Sequence, residues 1–298
     1  MKKRHIIETK SDRVFDVVNN IFALLFLLVV MYPLIIIVSS SFSDAYALMA
    51  GKVWFLPVDF TFDGYRAILR HKTIGLGMYN SAVYTVVGTV INMAITILAA
   101  YPLSRKDFAL QTVFSWIFAF TMWFSGGLIP TYMLVKNMGM FNTIWAMVLP
   151  TAMSVWNMII LRTYFQSNIA GELLESAKLD GCDDFRYLWS IALPLAKPSL
   201  AVIALYYMVG NWNVFMNAYL YLQDASKHPI QVVMRQILLQ NSMNSEIPKD
   251  ALADSKAQLM SELLKYTTVI VGSLPMILVY PFVQKYFVKG IMIGSVKG

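Results

Sequence analysis

Charge is scarce in this chain of 298 residues: 14% are Asp, Glu, Lys or Arg, against about 25% in a soluble domain. Cys182 is the only cysteine, which excludes an internal disulfide and any scaffold built on one. The three histidines, His5, His71 and His228, are far apart and belong to no H-E-x-x-H or Cys/His cluster, so no metal site is expected. No G-x-x-x-x-G-K-[ST] run is present to cradle nucleotide phosphates, and no G-x-G-x-x-G to hold a dinucleotide. If energy drives this protein, another polypeptide supplies it. Internal repeats, low-complexity tracts and Pro/Gly linkers are also missing, so residues 1–298 read as a single domain.

What the chain does have is apolar length. Hydrophobic residues make up 58% of it, and runs of about 18 or more without charge are long enough to cross a bilayer as helix. Six segments qualify, at approximately 17–38, 80–103, 112–134, 143–161, 200–222 and 266–283. Each must be helical, because an isolated strand leaves backbone amides unpaired in hydrocarbon. The expected fold class is therefore an all-α membrane protein with six transmembrane helices. The first block is longer than the roughly 7–15-residue core of a signal peptide, and no small-x-small site separates it from SSSFSD, so it reads as a retained span.

Orientation follows from Lys and Arg. With the N-terminus inside, one side collects Lys2, Lys3, Arg4, Lys10 and Arg13, then Arg105 and Lys106, then Arg162, Lys178, Arg186 and Lys197, and finally Lys285, Lys289 and Lys297. Both termini and the 166–198 loop are thus expected in the cytoplasm. Two outer segments remain, 43–78 and 223–265, too short for ordinary domains. In the second, Ile230, Val233, Met234 and Ile237 recur at helical spacing and predict a short amphipathic helix.

The 166–198 loop interrupts the apolar pattern with Glu172, Glu175, Asp180, Asp183 and Asp184. Asn168 is placed to cap a helix carrying Leu173, Leu174 and Ala177. Gly181 ends that helix, since glycine takes the left-handed conformation freely. Asp183 is placed to cap a second helix with an apolar stripe of Phe185, Leu188, Trp189 and Ala192. Pro194 is expected to stop it and Pro198 to open the fifth span. The product is a protruding helix–turn–helix knob. A lipid-bound amphipathic loop is the alternative, but its polar face would normally be basic, and anionic lipid repels this acidic one.

Glu175, Ala177, Asp180, Gly181, Pro194 and Pro198 match the E-A-A-x-x-D-G … L-P-x-x-x-P signature of permease subunits in bacterial ABC importers, which the chain resembles. Ser176 replaces the second Ala of the signature, Cys182 stands where a small residue is usual after the glycine, and Leu188 occupies a usually aromatic position. The resemblance extends through WFLPVDFTFDGY, FSGGLIPTYMLVKNMG and WNMIILRTYF to the carbohydrate-uptake branch, including the inner maltose-transporter permease and the lipoprotein-associated, aldouronate-type oligosaccharide permeases. It implies a type I ABC importer permease fold in the bacterial plasma membrane, with the loop as a cytoplasmic coupling helix. Glu175, Ala177, Asp180, Gly181, Phe185, Pro194 and Pro198 are then ATPase-coupling residues. The implied partners are a second homologous permease, a cytoplasmic ATPase dimer that binds ATP and Mg, an extracellular solute-binding lipoprotein and an oligosaccharide substrate. The chain itself needs no cofactor and performs no chemistry.

A polar solute needs polar contacts inside the bilayer. Tyr206, Gly210, Asn213 and Asn217 follow at i, i+4, i+7 and i+11 on the fifth span, with Asn211 and Trp212 beside them. Aromatic faces stack on sugar rings, and amides hydrogen-bond to hydroxyls. The same residue types also join helices to one another in membranes. Trp156, Asn157, Asn80 and Tyr84 are weaker candidates of this kind. Gly126, Gly127 and Pro130 would either loosen the third span or let it pack closely. Two other classes fit the sequence less well: an ion-coupled carrier, disfavoured because the six spans hold no ionisable Asp, Glu, Lys, Arg or His, and a membrane enzyme, for which Glu175 and Asp180 lack a catalytic partner.

Overall fold

A computed structural model describes residues 10–244 and 252–294. Lys2, Lys3, Arg4, His5 and Lys297 lie outside them. The described residues form helices and no strands. In chain order these are α1 (Lys10–Ser41), α2 (Ala45–Met49), α3 (Asp63–Arg70), α4 (Lys72–Ser104), α5 (Gln111–Trp123), α6 (Leu128–Asn137), α7 (Ile144–Val148) and α8 (Val155–Asn168). There follow α9 (Gly171–Leu179), α10 (Asp184–Tyr187), α11 (Leu193–Leu195), α12 (Lys197–Trp212), α13 (Met216–Tyr221), α14 (Ile230–Asn244) and α15 (Leu252–Gly294).

Helices α1 and α4 and the 259–282 stretch of α15 are each long and apolar enough to span a membrane unaided. Three bent pairs raise the number of segments to six. The fold is therefore all-α and polytopic, but three of the expected continuous spans are broken, each for a local reason.

In the third, α5 and α6 meet at 113° across residues 124–127. Gly127 takes φ +83°, and a Cβ added there would meet nothing within 4 Å. Gly127 therefore serves a backbone turn, and a Cβ on Gly126 would make only an ordinary 3.9 Å contact with Pro130, so packing requires neither glycine. In the fourth, the 3₁₀ turn Leu149–Thr151 separates α7 from α8 at a 53° bend, and Ser154 Oγ caps α8 by accepting from the Asn157 amide at 3.4 Å. In the fifth, the helix stops at Trp212 instead of continuing to 222. Asn213 turns its amide nitrogen back to the Val209 carbonyl at 2.9 Å, a local bond that competes with helix continuation.

The chain divides into two compact units. In the unit formed by residues 1–71 and 237–271, the tip of α1 is tied down by hydroxyls. Ser39 Oγ donates to the Phe55 carbonyl at 2.8 Å, Ser43 Oγ donates to the Ser39 carbonyl at 2.7 Å and accepts from the Val58 amide at 3.1 Å, and Ser41 Oγ lies 2.9 Å from the Tyr65 hydroxyl.

In the unit formed by residues 72–236 and 272–298, α4 is the axis. It packs on α12 and α8, and its buried face carries Ser81, Thr85, Gly88, Asn92 and Thr96 at helical spacing. Small and polar residues allow close approach and interhelical hydrogen bonds where water cannot drive association. Thr96 Oγ1 lies 2.6 Å from the Tyr207 hydroxyl, which also accepts from the Ser154 amide at 3.0 Å; Asn92 Nδ2 donates to the Thr151 carbonyl at 2.8 Å. Below this seam Tyr101, Phe165, Tyr187 and Leu188 join one buried cluster. The predicted helix at 230 is present as α14, with Ile230 and Val233 buried. Its first amide donates to Ser81 Oγ at 2.9 Å.

Candidate functional site

Helices α9 and α10 with the turn between them form the knob expected from the loop. Asn168 does not cap α9. It is the last residue of α8, and α9 starts after Ala170 without a side-chain cap. Within α9, Ala177 is buried and Leu174 packs on the core, whereas Leu173 is exposed. The end of α9 follows the expected scheme. Gly181 takes φ +76°, its amide donates to the Lys178 carbonyl at 3.0 Å, and the Cys182 amide donates to the Ala177 carbonyl at 2.9 Å. Asp183 Oδ1 then accepts from the Arg186 amide at 2.6 Å and caps α10.

Two expectations about the second helix need correction. Pro194 does not stop it: a π-turn at Leu188–Ala192 leads into α11, which contains Pro194 near its start. Proline has no amide to donate, and a first helical turn requires none. The sharp 83° bend falls after α11 and before α12, which carries Pro198 in its first turn. Nor do Phe185, Leu188, Trp189 and Ala192 share one fate. Leu188 and Ala192 are 3% and 1% exposed, whereas Phe185 and Trp189 are 67% and 57% exposed. The latter two rings lie 6.1 Å apart on the surface.

In the sequence Arg105 counts only as a topological charge. The structure makes it the anchor of the knob. Its guanidinium, 11% exposed, donates to both carboxylate oxygens of Asp107 at 3.0 and 2.7 Å, to the Tyr101 hydroxyl at 2.8 Å and to Asp184 Oδ1 at 3.0 Å. Lys178 Nζ on α9 donates to Asp107 at 3.1 Å. Both α9 and α10 are therefore bound to the end of α4. The hydrogen bond from Arg105, then that from Lys178, holds the Asp107 carboxyl well below the usual carboxylate range. Asp107 in turn raises Arg105 further above its ordinary value. The R-x-D spacing at 105–107 was the available signal. A cleft of about 770 Å³ opens beside the anchor, lined by Lys106, Gln166, Glu175 and Lys178 among others.

The stripe on the fifth span separates into two groups. Asn211 Nδ2 donates to Asn92 Oδ1 at 2.9 Å and to Thr89 Oγ1 at 3.3 Å, while Trp212 is buried and donates to the Gly272 carbonyl at 2.9 Å. These two join helices. Tyr206, Gly210 and Asn213 instead form an exposed face of α12. Asn217 lies beyond the break, on α13, so it does not continue that helical face. Asn80 donates to the Ser226 and His228 carbonyls at 2.8 and 3.1 Å, and Tyr84 to the Lys227 carbonyl at 2.8 Å, so both hold the segment before α14. Asn157 is buried, whereas Trp156 is 62% exposed.

The architecture defines a class: an all-α polytopic membrane protein with polar interhelical seams, an exposed partly polar helix face and a knob anchored outside the apolar segments. Residues 74–293 match the family model described as the binding-protein-dependent transport system inner membrane component, and the chain belongs to that family. It is 40% identical over 97% of its length to the whole of the polygalacturonan/rhamnogalacturonan transport system permease protein YtcP of Bacillus subtilis (strain 168). It is 38% identical to Protein LplC of the same organism, over 97% of each chain. Among solved structures, it matches a chain of a bacterial ABC transporter involved in the import of the acidic polysaccharide alginate. That match has a TM-score of 0.85 and 33% identity, covering 94% of this chain and 99% of the other.

Proposed function

We propose that this chain is a permease subunit of an ATP-driven oligosaccharide importer, forming half of the translocation route and receiving the ATPase stroke through the knob. The observation that carries the reading is the knob itself: one helix ended by a left-handed glycine and a second opened by the Asp183 cap, anchored through Arg105 to the end of α4, with Phe185 and Trp189 presented outward. Large exposed aromatics on a rigid anchored element are what a docking groove recognises.

In this reading the knob lies in the cytoplasm together with both termini. A second, homologous permease completes the route, and an extracellular binding lipoprotein delivers the sugar. Two copies of a cytoplasmic ATPase hold ATP and Mg, and this chain supplies neither a nucleotide site nor chemistry. ATP-driven closure of the ATPases moves the knob, and the Arg105 anchor passes that movement to α4, on which α12 is packed. The polysaccharide names borne by the relatives support an oligosaccharide as cargo. The exposed Tyr206, Gly210 and Asn213 face supplies aromatic and amide contacts suited to it.

The test is uptake by the assembled complex in proteoliposomes. Labelled oligogalacturonides should accumulate only with ATP and the binding lipoprotein. Accumulation driven by an ion gradient without ATP contradicts the reading.

A further inference from the structure

Beyond the break in the fifth span, the fold gathers side chains that are distant in sequence. Gln231 on α14 donates from Nε2 to Asn213 Oδ1 at 3.1 Å. One helical turn further along α14, Arg235 lies with its guanidinium carbon 4.6 Å from the centre of the Phe215 ring. Phe215 also stacks on Tyr219 at 5.7 Å between ring centres, and Tyr219 is 66% exposed. Arg235 is exposed, and among the described residues no carboxylate pairs with it. Contact with the ring orients a planar guanidinium while leaving N–H groups to donate, and carboxylate geometry matches that fork. The exposed face of Tyr206, Gly210 and Asn213 leads to this group along α12.

We propose that Arg235, with Phe215, Tyr219, Asn213 and Gln231, forms a binding site for the carboxylate and ring of a uronic acid unit at one end of the translocation route. The proposal rests on the oligosaccharide-importer reading and narrows its cargo to acidic glycans. A lone surface cation would bind the phosphate of a lipid equally well. The stacked rings and bonded amides around this one supply the contacts of a hexuronic acid: a flat apolar face, hydroxyls and one negative group.

The complete complex, reconstituted with its ATPase and binding lipoprotein, tests this with two probes: trigalacturonate and its carboxyl-reduced neutral counterpart. Wild type should import the charged probe preferentially. Arg235→Gln should lower the ratio of charged to neutral uptake by about tenfold, the loss of a charge-assisted hydrogen bond, and Arg235→Lys should restore part of it. A preference that persists in Arg235→Gln overturns the site and leaves the importer reading intact. So does equal uptake of both probes by wild type. ATP-dependent import of neither probe overturns the cargo reading and the site together.

Discussion

Gly181 has open space where a Cβ would project, so the demand for glycine there comes from the backbone alone. A side chain at φ +76° costs about 1–2 kcal/mol. Gly181→Ala should therefore retain partial ATP-driven uptake, and Gly181→Val, stiffened by β-branching, should retain much less, with equal amounts of both in the membrane. Uptake that is the same in both variants contradicts this. Arg105 acts differently, since four hydrogen bonds converge on it. Arg105→Ala should lower uptake by on the order of tenfold while ATP hydrolysis by the complex continues, and Arg105→Lys should recover part of the coupling. The ratio of sugar moved to ATP consumed reads this out, and an unchanged ratio removes Arg105 from the transmission.

Asp107 adds a pH statement. Its folded-state pKa is depressed, first by Arg105, so its contribution is present above the ordinary carboxylate value, about 4, and is lost only as pH falls through the lower folded value. Uptake should show no step due to this bridge between pH of about 5 and 8. A step in that window that Asp107→Asn abolishes contradicts the assignment.

At the scale of elements, what was legible depended on how local the cause is. The knob was readable because a left-handed glycine and an N-cap are decided within a few residues. The third-span break was partly legible, since Gly126, Gly127 and Pro130 offered either a loosened helix or close packing; the breaks in the fourth and fifth spans were not, because hydropathy registers apolar length and is blind to a side chain such as Asn213 folding back on its own helix. The same blindness placed Asn217 on a face that ends before it. The fifth-span stripe mixed two roles because spacing cannot tell which side of a helix meets a neighbour. That division is testable. Asn211→Leu should destabilise the chain by about 1–3 kcal/mol, leaving Asn92 without its donor in a tight α4–α12 contact. Tyr206→Ala should leave thermal stability within about 0.5 kcal/mol and lower uptake. Melting in detergent beside transport assays separates the two, and the reverse pattern would exchange their roles.

For the molecule as a whole, membrane class and six apolar segments came from composition, because hydrocarbon permits so few alternatives. Of the Arg105 anchor only the local contacts to Tyr101 and Asp107 were within reach of the sequence; Asp184 and Lys178, like the members of the Arg235 group, are brought together by packing. One measurement bears most directly on the claim that the knob couples this chain to an ATPase. Phe185 and Trp189 are exposed, so replacing both with Ala should leave folding and permease pairing intact. The tagged wild-type chain, purified from its native membrane in mild detergent, should carry a homologous permease and a nucleotide-binding ATPase identified by mass spectrometry. The Phe185→Ala, Trp189→Ala chain should keep the permease and lose the ATPase. Retention of the ATPase at wild-type level by the doubly substituted chain would contradict the account.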